Sequence, residues 1–290
     1  VDGVLLLDKP LGLTSHDALQ KARRLFSAAK GGHTGTLDPL ASGLLPLCFG
    51  EATKFSADLL DADKTYEAEV RLGVTTDSGD AEGAVIATAA VDVSEYDILT
   101  VLRQFAGVIR QIPPMHSALK RHGRPLYELA RQGIEVEREP RAVTIHAIDC
   151  LGFAGDHLNL RVACSKGTYI RVLAADIGQA LGCGAHLAGL RRTTVGDLDL
   201  GAAVTLAHLE SLDEAGRSAC LQPVDALLRS LPVATLQGEA AQHFRHGNPV
   251  DLPAGLSGKI RVYADGTLIG VGEPAVDGRL WPKRLVHLTC

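Results

Sequence analysis

Apolar residues recur along this chain with two different periods, and the change from one to the other outlines its elements. Val4 to Leu7 is a continuous apolar run, as expected of a strand covered on both faces, and the polar loop Asp8-Lys9-Pro10-Leu11-Gly12-Leu13-Thr14-Ser15 follows it. Ala18, Leu19, Ala22, Leu25 and Phe26 then fall at helical spacing up to about Ala29, with Thr14 or Ser15 as the N-cap. Leu44 to Phe49 predicts a short apolar strand, Glu51 to Leu60 a helix, and Thr65 to Gly73 a half-exposed strand that alternates. Ser94 and Asp97 have the spacing of a capping box, with Ile98, Val101, Leu102 and Phe105 as the apolar stripe behind it. Val143–Phe153 and His157–Cys164 alternate on either side of Ala154-Gly155-Asp156, which predicts an antiparallel hairpin. Ala174, Ile177, Ala180 and Leu181 give the inward stripe of a helix that ends at Gly182.

Two stretches break this rhythm. Residues 113–141 are polar, basic and rich in Gly and Pro, with one short helical pattern from Pro125 to Arg131. A connection of that length predicts a functional loop, here one that grips a substrate. Past Ser230-Leu231-Pro232 the pattern becomes short alternating strands punctuated by Asp265-Gly266 and Asp277-Gly278. The expected organisation is therefore a main domain over 1–230, with 113–141 as an insertion, and a small β domain over 233–290. The second part is short enough to need docking on the first for a sufficient core.

Composition adds limits rather than an activity. The chain has 290 residues, 46% hydrophobic and 22% charged, which is globular. No apolar run approaches the roughly 18 residues that span a bilayer, and the first residues lack the features of a signal peptide, so the expected location is cytoplasmic with no membrane partner. Six dispersed cysteines without a C-x-x-C pair indicate neither a zinc site nor a disulfide framework. The net charge of −5 argues at first against a polyanionic partner. Yet Asp58 to Asp97 alone holds eleven acids against Lys64 and Arg71, so the remainder is net basic. Lys120, Arg121, Arg124 and Arg131 form one basic cluster, and Arg161, Lys166, Arg171, Arg191 and Arg192 another. Clusters this small are ordinarily solvated faces, so charge permits a nucleic-acid partner without requiring one.

The candidate chemistry lies in Gly31-Gly32-His33-Thr34-Gly35-Thr36-Leu37-Asp38-Pro39-Leu40-Ala41-Ser42-Gly43. Glycines let a bulky ligand approach the main chain, and Pro39 restricts Asp38 to extended or turn geometry, so one carboxylate is displayed in a fixed place. There is no H-E-x-x-H, no metal-ligand cluster and no His–Cys nucleophile pair beside it, and Gly182-Cys183-Gly184 is no dinucleotide loop. A carboxylate in a water-poor pocket stays ionised only beside a cation, and Lys166-Gly167-Thr168-Tyr169-Ile170-Arg171 supplies Arg171. If that segment is extended, Tyr169 and Arg171 share one face while Ile170 points to the core.

His33-Thr34-Gly35-Thr36-Leu37-Asp38-Pro39, continued by Ala41-Ser42-Gly43-Leu44-Leu45-Pro46, closely resembles the catalytic motif of the TruB family, the bacterial tRNA pseudouridine synthases that modify uridine 55 of the T loop. The resemblance runs from about Gly3 to Asp197 and continues less distinctly to the end, where Phe244-Arg245-His246-Gly247-Asn248-Pro249-Val250 resembles the PUA RNA-binding module. It implies a mixed α/β (α+β) pseudouridine synthase fold with a largely antiparallel central sheet and a C-terminal PUA-like domain. The implied activity is isomerisation of a T-loop uridine in tRNA by base flipping, without cofactor or metal, in a monomer with no obligate protein partner. Site roles follow from the same resemblance. Asp38 is the catalytic carboxylate, Arg171 its partner, Tyr66 the ring that stacks on the uracil, and Tyr169 and Leu190 line the uracil pocket. His33 fills the space the flipped nucleotide vacates, and Lys9 and Pro10 buttress the active-site loop. Residues 111–131 resemble the family's RNA-gripping insertion, with Lys120, Arg121 and Arg124 as contacts and His116 in place of the usual aromatic.

Such a reaction breaks N1–C1′, turns the base and joins C5 to C1′ with no redox change, so one nucleophile or proton acceptor suffices. Asp38 can attack C1′, add to C6 of the ring, or abstract the C2′ proton, and the sequence leaves all three open. Two other classes compete: an RNA-folding module, and an aspartate phosphotransferase that would need metal-binding carboxylates in the Asp38 loop, where none is found.

Overall fold

β1 (Gly3–Lys9) is buried from Gly3 to Leu7 because its apolar run lies between strands on both edges and cores on both faces. The computed structural model describes residues 1–115, 117, 119–121 and 124–287, with the main chain alone at 120, 121, 124, 125, 127 and 131. The expectation for His116 therefore falls outside the described residues, as do the side chains of Lys120, Arg121 and Arg124.

After β1 come α1 (Ser15–Leu25), β2 (Gly31–His33), β3 (Ala41–Phe49), β4 (Lys64–Leu72), the hairpin strands β5 (Val74–Thr76) and β6 (Val85–Thr88), α2 (Glu95–Gln104) and β7 (Gly107–Gln111). The insertion carries β8 (Lys120–Arg121), β9 (Arg124–Pro125) and α3 (Leu126–Arg131). Then follow β10 (Arg141–Ala154), β11 (His157–Cys164), α4 (Ile170–Ala180), β12 (Ala185–Val195), β13 (Leu198–Asp199), β14 (Val204–Thr205), α5 (Leu206–Ser211) and α6 (Glu214–Ala219). The end of the chain contains β15 (Val233–Thr235), α7 (Gly238–Arg245), β16 (Val250–Asp251), β17 (Ile260–Ala264), β18 (Thr267–Pro274) and β19 (Arg279–Leu285).

The first sheet runs β14-β1-β3-β12-β4-β11-β10-β7, with β2 on β3 and β13 on β12. Among the described residues only the β1–β14 and β3–β12 strand pairs of this sheet are parallel, so the sheet is mixed and largely antiparallel, as expected. β12 escapes the sequence reading although it is central, because Gly189 and the Arg191-Arg192 pair interrupt its apolar run. Its parallel contact with β3 requires glycine at 43, where φ is +100° and a Cβ would run into the Arg192 backbone.

Local signals behave as physics requires, with three corrections. The Ser94–Asp97 capping box forms at α2, and β10 and β11 pair as the predicted hairpin. Thr14 caps α1, while Ser15 turns instead to the Asp38 loop, its Oγ accepting from Leu37 N at 2.7 Å and donating to Leu37 O at 3.0 Å. Residues Gly50–Leu59 wind as a 3₁₀ helix rather than an α-helix, and the Lys64 ammonium holds its end by donating to Leu60 O and Ala62 O. The segment before Arg171 is not extended: Tyr169 is the N-cap of α4 and Arg171 lies in its first turn, with Ala180 at the helix end exposed rather than inward.

One apolar core joins β4, β11 and β12 to α2 and α4, and another joins β1 and β3 to α1 and α5. Tyr66 and Leu190 pack against both, which places them at the seam. The second sheet, β15-β17-β18-β19-β16, has its own core around Phe244. Leu268, Val271 and Val286 share a third cluster with Val4, Leu44 and Phe55 of the first part, and Tyr263 and Arg261 both bond Asp225.

Candidate active site

Asp38 sits in the short loop between β2 and β3, and several contacts fix that loop. Gly35 has φ +138°, a conformation closed to most side chains. Ser15 clamps Leu37 from both its backbone groups, Gly12 N donates to Pro39 O at 2.8 Å, and Ala41 N closes a turn on Asp38 O at 3.0 Å. Lys9 is fully buried below the N-terminal loop, where its ammonium donates to Pro10 O at 2.9 Å and Leu13 O at 2.7 Å. Burial lowers its pKa to about 8, against the opposing pull of Asp38. Lys9 thus shapes the loop that carries Gly12, while Pro10 is exposed and contributes a carbonyl.

Arg171 reaches this loop from the first turn of α4. Nη2 donates to Asp38 Oδ2, and Nη1 pairs with Asp80 Oδ2 at 3.1 Å. The arginine side chain is 8% exposed and that of Asp80 3%, whereas Asp38 is 43% exposed. Two members of the network are thus structural in placement, and only Asp38 is open to an incoming molecule. Asp80 is itself fixed by Ser78 Oγ at 2.6 Å and Glu82 N at 3.1 Å. Asp80 was not singled out from sequence, where it is one of eleven acids in an acidic stretch. Its signal is the pairing of Gly79 and Ala81 with Leu187 on β12, a long-range contact.

A cavity of about 280 Å³ opens beside Asp38, with Tyr66, Tyr169, Arg171, Leu190 and Arg192 in its walls. The structure therefore brings together five of the predicted residues: Asp38, Arg171, Tyr66, Tyr169 and Leu190. Tyr169 and Arg171 converge on it even though their segment begins a helix. Gln111 helps to place Tyr169, its side chain donating to Tyr169 O at 3.2 Å and accepting from Tyr169 N at 3.0 Å. Burial raises the pKa of both tyrosines, so their hydroxyls are neutral hydrogen-bonding groups at pH 7. His33 lies on β2 outside the cavity wall, half-buried, with Gly35 N donating to its Nδ1 at 3.4 Å. Burial, then the charges of Arg192 and His16, depress its pKa and keep the imidazole neutral. Arg192, fully buried on β12, was seen from sequence only as part of a basic cluster.

The geometry offers one exposed carboxylate, ion-paired to a buried arginine, at the edge of a partly aromatic recess. Comparison with known proteins gives this arrangement a context. Residues 23–170 match the family described as TruB family pseudouridylate synthase (N terminal domain), 171–229 the tRNA pseudouridylate synthase B C-terminal domain, and 232–286 Pseudouridine synthase II TruB, C-terminal. The tRNA pseudouridine synthase B of Dechloromonas aromatica is 78% identical over 99% of this chain and 96% of that protein. The protein of the same name from Aromatoleum aromaticum is 58% identical over 99% of this chain and 93% of its own length. Among solved structures, a Cbf5-Nop10-Gar1 complex contains a chain similar over 93% of this one and 78% of its own, with TM-score 0.70 and 30% identity.

Proposed function

The chain belongs to the TruB family of pseudouridylate synthases, and from that premise we propose that it isomerises uridine 55 in the T loop of tRNA to pseudouridine, flipping the base into the Asp38 cavity. It is an isomerase of tRNA, in keeping with relatives that match nearly its whole length. The position rests on the resemblance of the Asp38 motif, and the flipping is supported by the site's form. A uracil inside a folded loop is stacked, and a base must leave its stack to enter the recess between Tyr66 and Leu190 beside Asp38.

In this reading Tyr66 receives one face of the ring, Leu190 supplies an apolar wall, and the helix-start Tyr169 borders the same space. Arg171 holds Asp38 oriented, so that the carboxylate acts on the sugar or ring without first finding its place. The reaction keeps all atoms of the nucleotide except one exchanged proton. N1–C1′ breaks, C5–C1′ forms, and the hydrogen of C5 leaves as a proton. In the same reading Lys120, Arg121 and Arg124 of the insertion grip the phosphate backbone, His33 fills the space the flipped nucleotide vacates, and Lys9 supports the loop that packs on Asp38.

The observation that carries the proposal is the Asp38–Arg171 pair, with only Asp38 exposed, at the mouth of a recess bordered by Tyr66. A T-arm stem-loop carrying tritium at C5 of single uridines tests it. Release of tritium from position 55 alone is expected. Release from another position, or none from a T arm that binds, contradicts it.

A further inference from the structure

Among the described residues, three buried side-chain atoms make no well-formed hydrogen bond within 3.5 Å: Thr34 Oγ1, Ser117 Oγ and Arg192 Nη2, the last two having only the tyrosines Tyr169 and Tyr66 close by. All three gather at one site. Thr34 belongs to the Asp38 loop, and Ser117 and Arg192 line its cavity. Unpaired buried polar atoms are uncommon, and the most costly kind is one on a charged group.

Arg192 is 2% exposed and stands between Gly43 of β3 and Tyr66 of β4 in the sheet. Its Nε donates to Leu44 O at 2.8 Å and Nη1 to Thr36 O at 3.5 Å, bonds that tie β3 to the Asp38 loop. Those two bonds account for a donor at this position. Neither they nor the neutral Tyr66 hydroxyl, which also interacts with the guanidinium, account for a full buried charge, which has no carboxylate within 4.0 Å among the described residues. The surrounding groups make the charge harder to explain as structure. Lys9 from β1, His33 from β2 and Lys64 from β4 all feel its repulsion, and Asp38, the acid of the same cavity, is engaged by Arg171.

The reaction supplies what is missing. When Asp38 attacks C1′ or removes the C2′ proton, the N1–C1′ electron pair stays on the base, which becomes an anion with charge on its carbonyl oxygens. When Asp38 adds to C6, the ring becomes an enolate with charge on O4. Each route places negative charge on a uracil carbonyl before C5 bonds C1′ and gives up its proton. We propose that Arg192 stabilises this anionic base, the uracil carbonyl providing the partner that Nη2 lacks in the free protein. The inference rests on the functional reading above. A fixed cation in a water-poor pocket is an efficient stabiliser because it needs no reorganisation as charge develops.

A T-arm stem-loop with 6-azauridine at the target tests this by binding. The ring nitrogen makes its imide ionise near neutral pH, with charge on the same two oxygens, while uridine stays neutral. Affinities of the two RNAs are compared in the Asp38→Asn background, where turnover is blocked, from about pH 6 to about pH 8.5, and only their ratio is read, so titration of His33 cancels. The expected result is a gain of about tenfold for the aza RNA as pH rises, lost when Arg192→Gln is added and kept with Arg192→Lys. A flat ratio with Arg192 present, or a gain that survives Arg192→Gln, overturns the proposal. Should Arg192→Gln not fold, loss of the gain in Arg192→Lys, which retains the charge, overturns it equally. Failure of both RNAs to bind at any pH instead rejects the T-arm reading, and this inference with it.

Discussion

Asp80 pairs with the Nη1 side of Arg171 at 3.1 Å, from a side chain only 3% exposed. The arginine is thereby held on the side away from the reaction, and its other nitrogen is left to Asp38. A guanidinium pinned at one end cannot swing away when RNA displaces water at the other.

Asp80→Asn should therefore slow isomerisation by about 100-fold through misplacement of Arg171, with little change in RNA affinity. Stability should fall by about 3 kcal/mol, because one partner of a buried pair is removed. Single-turnover rates, a binding titration and a denaturant melt of one preparation check all three.

Arg171→Lys keeps the charge but not the planar fork that spans two carboxylates. The expected outcome is a rate loss of about 100-fold with RNA affinity retained. Wild-type single-turnover rates in this variant would remove the bridge from the account.

Charge reversal is unnecessary to test the insertion. Replacing Lys120, Arg121 and Arg124 together by Gln should weaken binding and reduce the slope of log affinity against log salt by about 2 to 3, since each phosphate contact on RNA contributes roughly 0.7 to 0.9. An unchanged slope would return these residues to the solvated surface.

Lys9 makes stability depend on pH with a definite sign. Its folded pKa of about 8 lies below the ordinary 10.5, so between those values the unfolded chain binds more protons. Stability from this group should rise as pH climbs from about 8 toward 10.5 and be flat below that window. Chemical denaturation of wild type and Lys9→Met across the window checks it, the difference in slope isolating Lys9 from the buried thiols Cys48 and Cys164, whose raised pKa values act in the opposite direction.

Much of the fold is written locally and was legible for that reason. The Ser94–Asp97 capping box, the hairpin around Gly155 and the apolar run of β1 depend on neighbours in sequence. The sequence leaves the start of α4 open between strand and helix because Tyr169 offers no capping side chain, so the usual N-terminal signal is missing. Asp38 and Arg171 were found through motifs. Asp80 and Arg192 were not, since their meaning comes from tertiary contacts: Asp80 from a loop laid against β12, and Arg192 from a strand hidden by its own polar residues. The second sheet shares apolar core with the first part through Leu268 and Val271, so removing residues 233–290 should lower stability as well as RNA binding.

The central claim is that Asp38 performs the chemistry and other groups hold the RNA. Asp38→Asn preserves the side chain's shape while removing its nucleophilicity and basicity. Single-turnover pseudouridine formation on a T-arm stem-loop, measured beside binding of the same RNA, is the direct test. The account predicts a rate loss of at least about 10⁴-fold with affinity within a few fold of wild type. Substantial activity in Asp38→Asn, once deamidation back to Asp is excluded by mass spectrometry, would contradict it.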